Sequence, residues 1–129
     1  MMNPRVRKIL IADEREEYRE RYTEILRDLF RVAATGAASF GDAVAIFDRH
    51  RYDLVIIGEK LTQGDGLTLV RELRKTSKRA IIVYIGIHQP KMLEEAKKAG
   101  ANEAILKTPW ILNTDEARTN LFIRLGLFS

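Results

Sequence analysis

The sequence contains no cysteine among its 129 residues. Disulfide bonds, thiolate metal sites and cysteine nucleophiles are therefore excluded. No uninterrupted apolar run approaches the roughly 20 residues that cross a bilayer. The N-terminal stretch passes from a short basic segment directly into charged sequence, so we expect no secretory leader. These absences predict a cytoplasmic protein.

Charged residues are plentiful and well mixed. The net charge is +4, with 22 basic and 18 acidic residues that alternate along much of the chain, as in "DEREEYRERYTEILRD" at 13–28. Such mixtures are typical of solvated helix faces, and no aromatic and basic alternation or zinc-finger spacing is present. We therefore expect no direct binding to nucleic acid and a single domain over 1–129.

Short apolar runs alternate with helical patterns along the chain. Strands are predicted at 8–12, 53–57, 80–85 and 103–106, with a weaker edge strand at 31–35. Helices are predicted at 14–30, 40–50, 67–75 and 90–99, and a last helix follows Asn113. This (βα)5 order predicts an α/β fold of three layers, a doubly wound parallel sheet with helices on both faces.

A strand order of 2-1-3-4-5 places a crevice at the carboxyl ends of the first and third strands. Asp13 and Glu14 follow the first predicted strand, and Lys107 follows the fifth. Carboxylates suit Mg²⁺, and an ammonium group suits phosphate oxygens. An ion-paired cluster that only balances charge is the alternative, and residue spacing alone favours it.

Five segments, in this order, make the chain resemble the receiver domain of two-component response regulators over about residues 7–125. They are "KILIADE", "YDLVII", "GDGLTLVREL", "AIIVYIG" and "AGANEAILK". The resemblance implies the flavodoxin-like fold of the chemotaxis response regulator and a role in phosphorelay signal transduction. It also implies that Asp13 and Glu14 match the metal-binding acids and that Lys107 matches the phosphoryl-binding lysine.

The position of the family's phosphoacceptor aspartate falls on Gly58, counting forward from Asp53 or back from Asp65. Glycine has no carboxylate, so no acyl phosphate can form there. The family's switch hydroxyl falls on Ile85, and its switch aromatic falls on Ala104. The sequence therefore predicts an atypical receiver, a pseudo-receiver with no catalytic residue, which signals through protein–protein interaction without phosphorylation and is not an enzyme.

Loss of the acceptor carboxylate also weakens the metal site. Asp13 and Glu14 are expected to bind Mg²⁺ weakly at best, and no other cofactor is expected. Lys107 is predicted to form an ion pair with Asp13 or Glu14, directly or through a water molecule, because two close carboxylates need a neutralising partner.

Two alternatives remain open for the function. In the first, the chain is a working receiver that is phosphorylated at a displaced acid, Glu59 or Asp65, although side-chain alternation along the strand argues against Glu59. In the second, the chain is the regulatory domain of a longer transcriptional regulator.

The partner surface is predicted on the face made by the fourth helix, the fifth strand and the last helix. Trp110, Phe122 and Ile123 would contact a partner protein or a second copy of the chain there. The alternative is that "LFIRLGLF" at 121–128 is a buried C-terminal segment.

Overall fold

The computed structural model describes residues 7–86 and 88–106. The strands in this part of the chain are β1 (Ile9–Ala12), β2 (Ala34–Ala37), β3 (Leu54–Gly58), β4 (Lys60–Leu61), β5 (Gly64–Asp65), β6 (Ile81–Gly86) and β7 (Glu103–Leu106). The helices are α1 (Glu16–Phe30), α2 (Phe40–Arg49), α3 (Gly66–Thr76) and α4 (Lys91–Ala99). The predicted helix after Asn113 lies outside the described residues.

Five strands form one parallel sheet in the order β2-β1-β3-β6-β7. This arrangement confirms the predicted α/β fold and its 2-1-3-4-5 order. The sequence did not reveal the two-residue strands β4 and β5, which pair antiparallel as a small hairpin after β3. Two-residue strands are too short to show an apolar period.

Residues of the central strand pack on alternate faces of the sheet. Leu54 and Ile56 belong to a core cluster with Tyr22 and Leu26 of α1. The intervening Val55 and Ile57 belong to a second cluster, shared with α2, α3 and α4. Because helices cover both faces, β3 is apolar at every position and its side chains are fully buried.

The second strand begins three residues later than the sequence predicted. Arg31 adopts a left-handed conformation with φ 55°, and its N–H donates to Arg27 O as α1 ends. Val32 N–H also turns back, to Leu26 O at 3.2 Å. The residues 31–33 therefore complete the helix terminus, and pairing with β1 starts at Ala34.

The ends of α4 lie within one residue of the predicted helix at 90–99. Gly100 has φ 123° and, with Ala101, closes α4 through bonds from Gly100 N to Lys97 O and from Ala101 N to Ala96 O, a Schellman pair. Pro90 is the N-cap of α4 rather than its first residue, so the helix begins at Lys91.

Within the described residues, no helix has the length and apolar character needed to cross a membrane.

Candidate functional site at the carboxyl edge of the sheet

The sheet brings the end of β1 and the end of β3 side by side, since Ala12 is the register partner of Ile57. Asp13 directly follows β1, and Gly58 is the last residue of β3. Asp13 is only 4% exposed, whereas Glu14 is exposed. The two predicted acids therefore have different environments, because neighbouring residues leave a strand on opposite sides.

Backbone hydrogen bonds hold the loops of this edge together. Asp13 N–H donates to Ala37 O, and Glu14 N–H donates to Lys60 O, both at 3.0 Å. The acidic loop is thus tied to the end of β2 on one side and to the β4–β5 hairpin on the other.

Arg15 is the partner of the buried carboxylate. Its Nε donates to Asp13 Oδ1 and its Nη2 to Asp13 Oδ2, both at 3.0 Å, and its backbone N–H donates to Oδ1 at 2.9 Å. This bidentate geometry is among the strongest that an arginine and a carboxylate form. Burial acts to lower the pKa of Arg15, but the hydrogen bond and the negative charge of Asp13 outweigh it, and the pKa is raised.

Residues of α1 support this pair. The Arg15 guanidinium carbon lies 4.2 Å from the centre of the Tyr18 ring, a cation–π contact. Arg19 Nη1 donates to the backbone oxygens of Asp13, at 2.8 Å, and Glu14, at 3.0 Å. Both ends of the acidic loop are therefore fixed by arginines.

The Asp13 carboxylate lies directly over Gly58. A Cβ atom added to Gly58 would overlap Oδ2 of Asp13 and would lie 2.6 Å from its Cγ. Carbon atoms in proteins do not approach so closely, so residue 58 accepts only glycine while Asp13 keeps this position. The Asp13 carboxylate, which follows β1, therefore fills the space that a side chain at residue 58 would occupy.

Sequence reasoning missed Arg15 altogether. The available signal was its place two residues after Asp13, where an arginine at the start of a helix reaches back to a preceding acid. The predicted partner Lys107 lies outside the described residues, so its ion pair stays a prediction. Asp13 already has both oxygens bound by Arg15, which leaves the exposed Glu14 with more freedom to accept a second cation.

Glu59 follows Gly58 and is bound to the loop after β6. Its Oε1 accepts the backbone N–H of His88 at 2.8 Å, and its Oε2 lies 3.0 Å from Nδ1 of the same histidine. The Glu59 side chain is only 8% exposed, whereas that of His88 is 66% exposed. Glu59 therefore ties two loops of the carboxyl edge together.

The two positions predicted to lack switch groups are both buried. Ile85 is the register partner of Gly58 and packs in the cluster beneath α1. Ala104 is the register partner of Tyr84, and both belong to the opposite core cluster. The large phenol of Tyr84 thus lies beside the small Ala104. Burial, followed by the negative charges of Glu59 and Asp65, raises the pKa of Tyr84 to about 12.

The residues of this edge do not fit a divalent metal. Mg²⁺ requires near-octahedral oxygen ligands, usually with one or two carboxylates free to bind it. Both oxygens of Asp13 are engaged by Arg15, Gly58 has no side chain to act as a ligand, and Glu14 is exposed. Among the described residues, no cluster of three or more histidine or acidic side chains forms a metal site.

A five-stranded parallel sheet with an acidic loop after its first strand and a helix-covered core is the architecture of a receiver-type signalling domain. The model of the response regulator receiver domain family matches residues 9–113 of the chain. The chain belongs to this family, the receiver domains of two-component response regulators, as the sequence predicted.

Relatives of known identity agree with this assignment. The chain is 31% identical over 102 residues to the chemotaxis protein CheY of Bacillus subtilis. The alignment covers 78% of this chain and 84% of that protein. It is 29% identical over 101 residues to the transcriptional regulatory protein PdtaR of Mycobacterium tuberculosis, covering 78% of this chain and 49% of PdtaR. The chain therefore spans about half the length of PdtaR.

Solved structures show the same fold. The chemotaxis protein CheY4 of Vibrio cholerae superposes with a TM-score of 0.78, covering 93% of this chain and 98% of that chain at 23% identity. At this identity the likeness concerns the fold alone.

Proposed function

We propose that the chain is an atypical receiver domain, a pseudo-receiver that signals by protein–protein interaction and without phosphorylation. The observation that carries the proposal is that another side chain fills the space above Gly58. The Asp13 carboxylate fills it and is held there by Arg15 through two hydrogen bonds. A phosphoryl donor that approaches the end of β3 finds no carboxylate on that strand. The neighbouring carboxylate, that of Asp13, is already neutralised by Arg15.

The neighbouring positions support the same proposal. Ile85 is 3% exposed and has no group that could donate a hydrogen bond to a phosphoryl oxygen. Ala104 has no rotamers and lies beside the buried Tyr84. In the family resemblance these positions sense and relay phosphorylation, so their loss fits a domain that does not use it.

A displaced acceptor is the competing chemical function, and the surroundings of Glu59 and Asp65 weigh against it. Both oxygens of Glu59 contact His88. Asp65 accepts hydrogen bonds from Thr68 N, at 2.8 Å, and from Thr68 Oγ1, at 3.1 Å, as the N-cap of α3. Phosphorylation at either residue would break these bonds.

A second candidate is the regulatory domain of a longer transcriptional regulator. The coverage of PdtaR favours it, since the chain corresponds to about half of that protein. In either setting the domain would act on its partner through surfaces, and the face of α4, β7 and the segment after it remains our proposed contact for a partner or a second copy. Trp110, Phe122 and Ile123 lie outside the described residues.

The test is incubation with a small-molecule phosphodonor such as acetyl phosphate in the presence of Mg²⁺, followed by intact-mass measurement. We expect the chain to gain no phosphoryl group. The matched controls are Glu59→Gln and Asp65→Asn, each of which removes one candidate acceptor. Stable labelling of the wild-type chain that disappears in either control would overturn the proposal and identify the displaced acceptor.

A further inference from the structure

The amino edge of the sheet, opposite the candidate site, brings three loops into contact. Asp53 N–H, before β3, donates to Lys8 O, before β1, at 2.9 Å. Asp53 O in turn accepts from Ile81 N–H, at the start of β6, at 2.9 Å. These bonds join the loops into one continuous surface.

This surface contains a groove with a volume of about 1140 Å³ between the end of α2 and the loop after α3. Its cationic lining residues are Arg51, Lys78 and Arg79, and its acidic ones are Asp48 and Asp53. The hydroxyl residues Thr76 and Ser77 line the same groove. The groove is therefore polar, concave and bordered by cations from two loops.

Five exposed cations occupy loop positions at this edge: Arg51, Lys78 and Arg79 line the groove, and the backbones of Arg7 and Lys8 bind its lining residue Asp53. None of their side chains forms an ion pair with another residue in the described part of the chain. Basic residues in the last turn of a helix are common because they offset the helix dipole. Arg51 follows the C-cap of α2, and Lys78 and Arg79 follow the C-cap of α3, so the helix dipoles account for part of their placement. Arg7 and Lys8 precede a strand and have no such explanation.

The acids of the groove offset these charges only partly. Asp53 Oδ2 accepts the backbone N–H groups of Arg7, at 2.9 Å, and Lys8, at 3.0 Å, which stabilise its negative charge without using a cationic side chain. Asp48 is exposed and is the other acidic residue of the lining. Within the described part of the chain, the groove therefore keeps an excess of positive charge.

We propose that this amino-edge groove docks an acidic peptide segment of a partner protein. Guanidinium groups bind carboxylates in paired, planar geometry, and Arg51 and Arg79 present two such groups on the rim. A nucleic acid fits less well, because the groove's aromatic residues, Phe47 and Tyr52, are only 7% and 8% exposed and cannot stack on bases. The proposal rests on the proposed function in one respect, since it names a partner for an interaction module.

Fluorescence anisotropy with a short fluorescein-labelled peptide of alternating glutamate and glycine tests the groove, with no phosphodonor present. We expect the wild-type chain to bind the peptide and the variant Arg51→Glu/Arg79→Glu to bind it about tenfold more weakly. The matched control is Lys60→Glu/Lys91→Glu, which changes the net charge equally at the exposed carboxyl edge. It should keep the affinity within about twofold of the wild type.

Three results would overturn the docking proposal: no binding by the wild-type chain, equal loss in both charge-reversed variants, or tighter binding of a single-stranded RNA of equal charge that is lost in the groove variant. Circular dichroism establishes that each variant is folded. If Arg51→Glu/Arg79→Glu is not, Arg51→Gln/Arg79→Gln replaces it with the same expected direction. The mass measurement with acetyl phosphate is independent of all these outcomes, so either proposal can fail alone.

Discussion

At the scale of single residues, the candidate site depends on three neighbours that are close in space but not all in sequence. Asp13 fills the space over Gly58, and Arg15 neutralises Asp13. Without Arg15, the Asp13 carboxylate, which is 4% exposed, would have no cationic partner among the described residues. Without the glycine at position 58, the carboxylate could not lie where it does. The pair and the glycine form one unit.

This unit predicts the effect of adding one methyl group. Gly58→Ala should lower the free energy of unfolding by about 1–3 kcal/mol, because the new Cβ would overlap the Asp13 carboxylate. In an Asp13→Ala background the same substitution should cost much less. Urea denaturation of the four chains of this double-mutant cycle measures the coupling.

Gly41→Ala is the control, since a Cβ there meets nothing within 4 Å. It lies in α2 and should stabilise the chain by about 0.5–1 kcal/mol. If Gly58→Ala proved as mild as Gly41→Ala, Asp13 would not occupy the space that the structure assigns to it.

At the scale of secondary structure elements, α3 begins where the β4–β5 hairpin ends. Asp65 is the last residue of β5 and the N-cap of α3, with φ −138° and ψ 161°. Its carboxylate accepts from both the backbone and the hydroxyl of Thr68. The residue that the sequence offered as a displaced acceptor thus has a structural role in starting a helix.

Removal of this cap should destabilise the chain. Asp65→Ala is expected to lower the free energy of unfolding by about 1 kcal/mol. Asp65→Asn should keep most of the stabilisation from the cap, because asparagine also caps helices. Thermal and urea unfolding monitored by circular dichroism measure both. Asp42→Ala, an exposed acid in the first turn of α2, changes the charge equally without removing a cap. A loss as large in Asp42→Ala as in Asp65→Ala would show that charge, and not capping, is responsible.

At the scale of the whole molecule, all four tyrosines are buried in or beside the core, with Tyr18 at 9%, Tyr22 at 2%, Tyr52 at 8% and Tyr84 at 2% exposure. Burial raises the pKa of Tyr22 above its usual range, and the nearby charge of Asp13 adds to this effect. The Tyr22 hydroxyl has no hydrogen-bond partner among the described residues. Ionisation of Tyr22 and Tyr84 is therefore coupled to opening of the fold.

The coupling predicts loss of stability at alkaline pH. Tyrosinate forms more readily in the unfolded chain, where the pKa is 10.0, than in the folded chain, where that of Tyr84 is about 12. The stabilisation is therefore fully present below pH 10 and is lost as the pH rises towards 12, at about 1.4 kcal/mol per pH unit for each such tyrosine. Urea unfolding at several pH values and tyrosinate absorbance at 295 nm measure it.

Tyr84→Phe is the matched variant for this titration. It should make the stability fall less steeply between pH 10 and pH 12, because one of the shifted groups is gone. An unchanged slope in Tyr84→Phe would contradict the assignment of this pH dependence to Tyr84.

The sequence alone determined the order of elements, the parallel sheet and its helix-covered faces, since apolar runs and helical periods are local signals that survive without a partner. It also identified Gly58 as a strand end without a carboxylate. The bounds of most elements agree with the prediction to within one or two residues, and β7 agrees at both ends. The position of β2 differed because a left-handed Arg31 is set by how α1 terminates and not by the composition of 31–35.

Only the tertiary structure decided which groups meet at the carboxyl edge. Nothing in the spacing of residues indicates that Asp13 lies over Gly58 or that Glu59 reaches His88. Each contact depends on the direction of a side chain at a strand end and on the register of neighbouring strands. Those are set by packing of the whole sheet, so pairing between distant residues appears only when the chain is folded.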